Sequence, residues 1–229
     1  MSVTKTPIAV FVSGRGSNFL ALAEAAADPA YPARIAVVVS DNPDAGALTH
    51  AAELGIPTAV VVRRDFPDKA SFDAALEAEV VKAGAEQICL AGFMRILGPE
   101  LVGRWEGRML NIHPSLLPSF RGLHTHQRAL DAGVKFHGVT VHLVTAELDD
   151  GPIVAQAAVP VLPGDDEAAL SARVLSAEHK LYAAALAVHL TGASHKALPT
   201  IHFNPPLWDQ QHSDDDSPIA VFQDPPTEA

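Results

Sequence analysis

Cysteine is almost missing from this chain. Cys89 is the only one among 229 residues, so no disulfide can form within the chain. A chain without disulfides suits a reducing compartment such as the cytosol. Cys89 lies inside a short apolar segment rather than at its end, where a free cysteine is usually packing material. We therefore do not expect a cysteine nucleophile.

Positive charge is also scarce. The chain has 16 Lys and Arg residues against 27 Asp and Glu residues, a formal net charge of −11. An acidic surface repels phosphate backbones, so we do not expect nucleic acid as a partner. No apolar run approaches the roughly 20 residues that cross a bilayer, and residues 1–7 lack the layout of a signal peptide. These features predict a cytoplasmic protein that does not bind membranes.

The remaining composition, 48% hydrophobic and 19% charged, is that of an ordinary globular protein. In the first half, apolar runs without strict alternation are separated by stretches of helical periodicity. This pattern predicts parallel strands covered by helices on both faces, which is a doubly wound α/β sheet. The predicted strands are residues 8–13, 34–40, 58–62, 87–91 and 108–112, with helices between them, one of which is predicted at 69–82 with its cap near Asp68.

The second half departs from this rhythm. Residues 137–144 and 152–161 predict two strands joined by a short acidic loop, which we interpret as an antiparallel pair at the sheet edge. A helix should precede them at residues 124–132, and a long helix should follow at 165–190. The predicted class is therefore α/β with a mostly parallel sheet.

Beyond Gly192 the composition becomes rich in Pro and Asp. This change predicts a tail that is partly docked and otherwise mobile, with docking through Phe203, Leu207 and Trp208. We therefore place one domain at residues 1–192, with halves at about 1–107 and 108–192, and an extension at 193–229.

The segment from Asn111 to Gly122 holds the residues on which we expect catalysis to depend. It follows an apolar run, and Pro114 and Pro118 force the chain to leave as a loop. Asn111 and His113 are two residues apart, so their side chains share one face of an extended strand. An amide donor beside an imidazole suits oxyanion stabilisation in acyl transfer. An isolated pair of this kind is more often structural.

A glycine-rich turn at residues 14–18 follows the first predicted strand. It begins like a dinucleotide fingerprint, but Phe19 stands where the third glycine would be, and no P-loop Lys follows. The amides of Gly16, Ser17 and Asn18 would lie at a helix N-terminus and suit a phosphate group. The alternative is a tight turn with Ser17 as the helix N-cap.

Residues 93–97 predict an apolar slot. Four of the five side chains are large and apolar, with Arg95 embedded among them. Such a slot suits a flat heteroaromatic ring recognised mainly by backbone groups. For any single side chain, packing against the next helix is the more ordinary explanation.

The acidic loop at residues 147–151 follows the strand that holds His142. A carboxylate here would face His113 across a cleft and favour the charged imidazolium. The alternative is a solvated turn, since Asp-Asp-Gly is common turn chemistry. We expect only one of Asp149 and Asp150 to point inward.

A metal site is not expected. His124 and His126 flank Thr125 at the start of a predicted helix, but no third ligand follows at zinc spacing. We interpret both histidines as loop and capping residues.

Five motifs occur in a fixed order along the chain. They are Ser-Gly-x-Gly-Ser-Asn at 13–18, Ala-Gly-Phe-Met-Arg-Ile-Leu at 91–97, Asn-Ile-His-Pro-Ser-Leu-Leu-Pro-Ser-Phe-x-Gly at 111–122, Gly-Leu-His-Thr-His at 122–126 and Glu-Leu-Asp-x-Gly-Pro-Ile at 147–153. Over residues 8–190 the chain closely resembles the phosphoribosylglycinamide formyltransferase family. The Asn-x-His and Leu-Asp pieces are shared with the wider formyltransferases, whereas Gly-Ser-Asn and Leu-His-Thr-His point to this branch.

The resemblance implies a fold with a Rossmann-like N-terminal half and an activity in purine synthesis. The formyl group of 10-formyltetrahydrofolate would pass directly to the amine of glycinamide ribonucleotide through a tetrahedral intermediate. This folate would be the cosubstrate, without a metal, and the chain would be a monomer or homodimer. The alternatives are a deformylase-like hydrolase of formyltetrahydrofolate and, from another class, a nicotinamide-nucleotide-binding Rossmann protein.

At matching positions, the resemblance implies three groups of residues. The catalytic set would be Asn111, His113 and Asp149. The phosphate and ribose of the ribonucleotide would contact Gly16, Ser17, Asn18 and Glu178. The folate would contact Lys69, Met94, Arg95, Ile96, Leu97, Asn111, Thr145, Ala146, Glu147, Leu148 and Asp149.

Two positions depart from the family pattern. Lys69 stands where the family usually has an arginine, and a lysine cannot form the bidentate contact of a guanidinium. Asp150 replaces a typical glycine and adds a Cβ and a charge beside the predicted site.

Overall fold

The computed structural model of the protein describes residues 4–192, so the predicted tail with Phe203, Leu207 and Trp208 lies outside the described residues. The strands are β1 (Thr6–Val12), β2 (Ala33–Ser40), β3 (Thr58–Val60), β4 (Gln87–Leu90), β5 (Met109–His113), β6 (Phe136–Leu143) and β7 (Ile153–Pro160). The α-helices are α1 (Ser17–Ala27), α2 (Gly46–Glu53), α3 (Lys69–Lys82), α4 (Pro99–Arg104), α5 (Thr125–Asp131) and α6 (Glu167–Thr191), with a short 3-10 helix at Arg63–Asp65.

One sheet contains all these strands in the order β3-β2-β1-β4-β5-β6-β7. Strands β1 to β5 are parallel to one another, whereas β6 runs antiparallel to β5 and β7 antiparallel to β6. The predicted doubly wound sheet with an antiparallel edge pair is thus confirmed. The strand order reverses between β1 and β4, and ligands of such sheets bind beyond the carboxyl ends of the strands near this point.

Helices cover both faces of the sheet, which explains the unbroken apolar runs in the central strands. On one face, Val10 and Cys89 pack with side chains of α1 and α6, among them Phe19 and Leu186. On the other face, Phe11 and its neighbours pack with side chains of α3 and α4. Burial raises the pKa of the Cys89 thiol to about 12, so this cysteine is packing material rather than a nucleophile.

The helix ends follow local capping chemistry in some places and tertiary contacts in others. Helix α3 begins where the sequence predicts, because the Asp68 carboxylate accepts a hydrogen bond of 2.8 Å from the Ser71 amide. Helix α1 begins differently: its N-cap is Gly16, in the left-handed region at φ 84°, and Ser17 is the first helical residue. The alternative with Ser17 as N-cap is therefore wrong, since the backbone turn is left-handed at the preceding position.

Tyr182 ties the long helix α6 to the centre of the sheet. Its buried hydroxyl lies 3.0 Å from the Leu90 carbonyl oxygen and 3.2 Å from that of Leu110. These carbonyls belong to the neighbouring strands β4 and β5. The contact therefore fixes the helix against the strand that carries Asn111.

Candidate active site

Strand β5 ends with Asn111 and His113 at the carboxyl edge of the sheet. His113 is 5% exposed, and its Nε2 lies 3.0 Å from the Phe120 carbonyl oxygen. A carbonyl only accepts, so Nε2 carries a hydrogen and donates it. The ring is thus held by the loop that follows its own strand.

Buried hydrogen bonds from the edge strands hold this loop in place. The Thr140 hydroxyl donates to the Ser115 carbonyl at 2.7 Å and accepts from the Leu117 amide at 3.0 Å. The Gln156 amide donates to the Leu117 carbonyl and to the same hydroxyl, both at 2.9 Å. Strands β6 and β7 therefore form a support under the loop that the motif alone does not reveal.

Asp149 comes from the loop between β6 and β7 and meets His113 across the cleft. Its Oδ2 lies 3.4 Å from Nδ1 of His113 and accepts a hydrogen bond of 3.0 Å from the Gly122 amide. Asp149 is 9% exposed and has a positive φ of 50°. The next residue, Asp150, points outward and pairs with Arg121. Of the two aspartates, only Asp149 therefore faces the cleft.

His113 consequently lies between two hydrogen-bond acceptors. The Phe120 carbonyl faces Nε2 and the Asp149 carboxylate faces Nδ1. A neutral ring would present a lone pair to one of them, whereas the imidazolium can donate to both. The ring lies at the same cavity as the Asn111 amide.

A cavity of about 610 Å³ opens beside these side chains. Every residue predicted to contact the folate lines it except Lys69. The apolar part of the wall includes Met94, Ile96, Leu97 and Leu148. Such a volume and wall suit a drug-sized ligand with a flat apolar ring.

The model of the formyl transferase family matches residues 6–186. The chain belongs to the formyl transferase family.

Individual relatives agree with this family. The chain is 43% identical over 175 residues to the phosphoribosylglycinamide formyltransferase of Escherichia coli (strain K12), which covers 76% of this chain and 82% of that protein. A crystal structure of phosphoribosylglycinamide formyltransferase from Brucella melitensis superposes with a TM-score of 0.78 at 52% identity, covering 83% of this chain and 97% of that chain.

Some relatives are much longer. The trifunctional purine biosynthetic protein adenosine-3 of Drosophila pseudoobscura pseudoobscura is 46% identical over 195 residues. The match covers 84% of this chain but only 14% of that protein, so the formyl transferase fold here corresponds to one part of it. The resemblance found in the sequence motifs is confirmed by these comparisons.

The glycine turn of this formyl transferase lies at the same edge of the sheet but does not line the cavity. Gly16 has φ 84°, and a Cβ on it would lie 2.5 Å from the Cβ of Ala47, so only glycine fits. The Asn18 amide donates a hydrogen bond of 2.6 Å to Glu178 on α6. Burial raises the pKa of the Glu178 carboxyl, against the opposite effect of the Asn18 hydrogen bond. The predicted ribonucleotide residues are thus brought together.

Ser13 connects the glycine turn to the cavity wall. Its hydroxyl accepts a hydrogen bond of 2.8 Å from the Met94 amide and donates one of 2.6 Å to Asp41. Asp41 also pairs with Nε of Arg95 at 2.5 Å. These bonds link the carboxyl ends of β1, β2 and β4, and Arg95 is held toward β2 by a carboxylate that the motifs did not indicate.

Lys69 is the predicted folate residue that lies apart. Its ammonium is 3.8 Å from Asp73 Oδ2, which also accepts a hydrogen bond of 2.7 Å from the Gly98 amide. Gly98 follows Leu97, so Lys69 lies near the end of the cavity wall but does not line the cavity. Its predicted contact with the folate stays a prediction.

His142 is a site residue that sequence reasoning did not include. It lines the cavity, is 2% exposed, and its Nε2 lies 3.2 Å from the Asn111 amide nitrogen. The available signal was its position on the predicted strand just before the acidic loop.

Within residues 4–192, no group of three or more His, Cys, Asp or Glu side chains could hold a metal ion. No helix in that range is long and apolar enough to cross a membrane.

Proposed function

We propose that the chain transfers the formyl group of 10-formyltetrahydrofolate to the amine of glycinamide ribonucleotide, giving formylglycinamide ribonucleotide and tetrahydrofolate. Membership of the formyl transferase family and the named relatives support this reading over the deformylase and nicotinamide alternatives. The observation that carries it is the meeting of Asn111, His113 and Asp149 at one cavity with an apolar wall.

The reaction proceeds by direct attack. A bond forms between the substrate amine nitrogen and the formyl carbon, and the carbonyl oxygen becomes an oxyanion. Asn111 donates a hydrogen bond to this oxyanion, and the positive charge of the His113 imidazolium, whose N–H groups face Phe120 and Asp149, stabilises it electrostatically. The bond from the formyl carbon to the folate nitrogen then breaks. No cysteine nucleophile takes part, because Cys89 is buried in the core.

Asp149 supports the proton transfer that balances the reaction. Its carboxylate keeps His113 charged from 3.4 Å away. It also orients a water that carries the proton from the attacking amine to the leaving folate nitrogen. Much of the rate enhancement comes from holding the two substrates together in one crevice.

Binding is divided between the two halves of the domain at residues 1–192. The half at 1–107 supplies Gly16, Ser17 and Asn18 for the phosphate, at the N-terminus of α1. Glu178 of α6 accepts from the ribose hydroxyls. The half at 108–192 supplies the catalytic groups and the loop at 145–149 that, with Met94 to Leu97, encloses the pterin ring of the folate.

The test measures tetrahydrofolate formation with and without glycinamide ribonucleotide. Formation that depends on the ribonucleotide supports the proposal, whereas formate release without an acceptor supports the deformylase alternative. Asn111→Ala and His113→Ala should each lower turnover by roughly 10²–10³-fold while the fold survives. Near-normal turnover in both variants would contradict the assignment.

A cytoplasmic location and a monomeric or homodimeric state stay predictions.

A further inference from the structure

We propose that His142 is a positioning residue for formyl transfer: its neutral ring, protonated on Nδ1, accepts a hydrogen bond from Asn111 and keeps that amide turned as a donor toward the cavity. The inference rests on the proposed function only for its kinetic consequence. The hydrogen-bond arrangement itself follows from the contacts of these two residues.

Asn111 and His142 face each other directly across the sheet. They are register partners in the antiparallel pair of β5 and β6. Asn111 Nδ2 lies 3.2 Å from His142 Nε2, and His142 Nδ1 lies 2.9 Å from the Leu143 carbonyl oxygen. Both ring nitrogens therefore have defined partners.

These partners determine the tautomer of His142. The Leu143 carbonyl can only accept, so Nδ1 must carry a hydrogen. In a neutral ring, Nε2 then has a lone pair, and Asn111 must turn its NH₂ group toward it. The flipped amide would place Oδ1 of Asn111 against this lone pair and lose the hydrogen bond.

The surroundings favour the neutral ring. His142 is 2% exposed, and burial lowers the pKa of its imidazole. The Leu143 carbonyl and the Asp149 carboxylate, whose Oδ1 is 3.9 Å from Nε2, act in the opposite direction. The nearby His113 acts in the same direction as burial. The balance leaves Nε2 as an acceptor.

The fixed amide explains how Asn111 can serve the oxyanion. Nδ2 carries two hydrogens, and one is used by His142. The second remains available at the cavity, where both residues line the wall. Without His142, the amide can rotate by half a turn and present its oxygen, which would repel an oxyanion. His142 therefore acts through Asn111 and need not touch the substrate.

Two variants separate this role from simple packing. His142→Phe keeps an aromatic ring but offers no acceptor, and it should lower kcat roughly ten- to a hundredfold, less than the loss of an oxyanion donor itself. His142→Gln keeps an acceptor near the Nε2 position and should recover a large part of this loss. KM for both substrates should change much less than kcat, because the Asn111 donor gains most of its interaction energy when the oxyanion forms. His50→Phe is the matched control and should be without effect, because the His50 side chain on α2 is 41% exposed and does not line the cavity.

The proposal would be overturned if kcat of His142→Phe equals that of the wild type. It would also be overturned if kcat falls by the same factor in His142→Phe and His142→Gln. A loss that appears only in KM would also overturn it. Circular dichroism of each variant shows whether it is folded. If His142→Phe does not fold, the comparison of His142→Gln with the wild type and the spectroscopic test below decide the question.

Nitrogen-15 NMR of the unliganded wild-type protein tests the arrangement without any activity. At pH 7, the ring nitrogens of His142 should show the neutral Nδ1–H pattern, and one hydrogen of the Asn111 side-chain amide should be shifted downfield by its bond to Nε2. An Nε2–H tautomer or an imidazolium at His142 would overturn the proposal. If the expected pattern is found but no formyl transfer occurs, the proposed function fails and the positioning geometry stands.

Discussion

The Asp149 carboxylate lies 3.4 Å from Nδ1 of His113, and both side chains are almost fully buried. His113 is the last residue of β5, whereas Asp149 belongs to the loop between β6 and β7. A second carboxylate, Asp150, is adjacent in sequence but points outward to Arg121. The contrast between neighbouring aspartates gives an internal control for the charge at the site.

Asp149→Asn should lower kcat by roughly 10²–10⁴-fold, because the amide no longer favours the charged His113 ring or orients the water for proton transfer. Asp150→Asn should change kcat only severalfold, since its side chain is exposed and paired outside the cleft. Steady-state kinetics on both variants make the comparison. Equal losses in the two would show that the charge of the loop, rather than the inward carboxylate, matters.

Glu178→Gln should raise KM for glycinamide ribonucleotide roughly tenfold and leave KM for the folate unchanged. The Gln side chain can still accept the Asn18 hydrogen bond, but the charged acceptor for the ribose hydroxyls is lost. Glu24→Gln, exposed on α1, is the control and should change neither constant. An effect confined to the folate KM would place Glu178 in the other binding site.

Gly16→Ala should destabilise the protein by roughly 1–3 kcal/mol and weaken binding of the ribonucleotide phosphate. The new Cβ would meet Ala47 at 2.5 Å in a backbone with φ 84°. Gly14→Ala, two residues earlier, is the matched control, because a Cβ there meets nothing within 4 Å. Thermal unfolding and the ribonucleotide KM of both variants are measured. Similar behaviour of the two would refute the steric argument.

The free energy of unfolding should decrease as the pH is lowered, because His137 takes up a proton more readily in the unfolded chain. This buried histidine packs against Phe120 and His126, and burial lowers the pKa of His137 from 6.5 to about 4. Its pKa is thus lower in the folded than in the unfolded chain, so the unfolded chain binds the proton first. The contribution of the neutral His137 ring to the free energy of unfolding is fully present above pH 6.5. It is lost as the pH falls from about 6.5 to about 4, and the total loss is roughly 3 kcal/mol.

His137→Phe should remove this part of the pH dependence, because the ring remains and the proton site does not. Urea unfolding of the wild type and the variant at pH 7.5 and pH 4.5 gives the difference. The wild type should lose more free energy of unfolding between these values than the variant does. Identical losses would show that His137 does not titrate on unfolding in this range.

Much of the fold follows from local patterns in the sequence. The apolar runs predict buried parallel strands, and the Asp68 cap predicts the start of α3, because both depend on interactions over a few residues. The short 3-10 helix at Arg63–Asp65 was not predicted, since three residues carry no periodic signal. The site was predicted where one strand or one loop contains it, as with Asn111 and His113.

The sequence by itself determined that an amide and an imidazole share one face of β5, because the period of two is a property of the backbone. The tertiary structure decided which aspartate meets that imidazole, that Asn18 meets Glu178, that Lys69 pairs with Asp73 and does not line the cavity, and that His142 faces Asn111. These relationships join residues far apart in the chain. Their geometry depends on how the sheet, its loops and α6 pack together, which no short stretch of sequence contains.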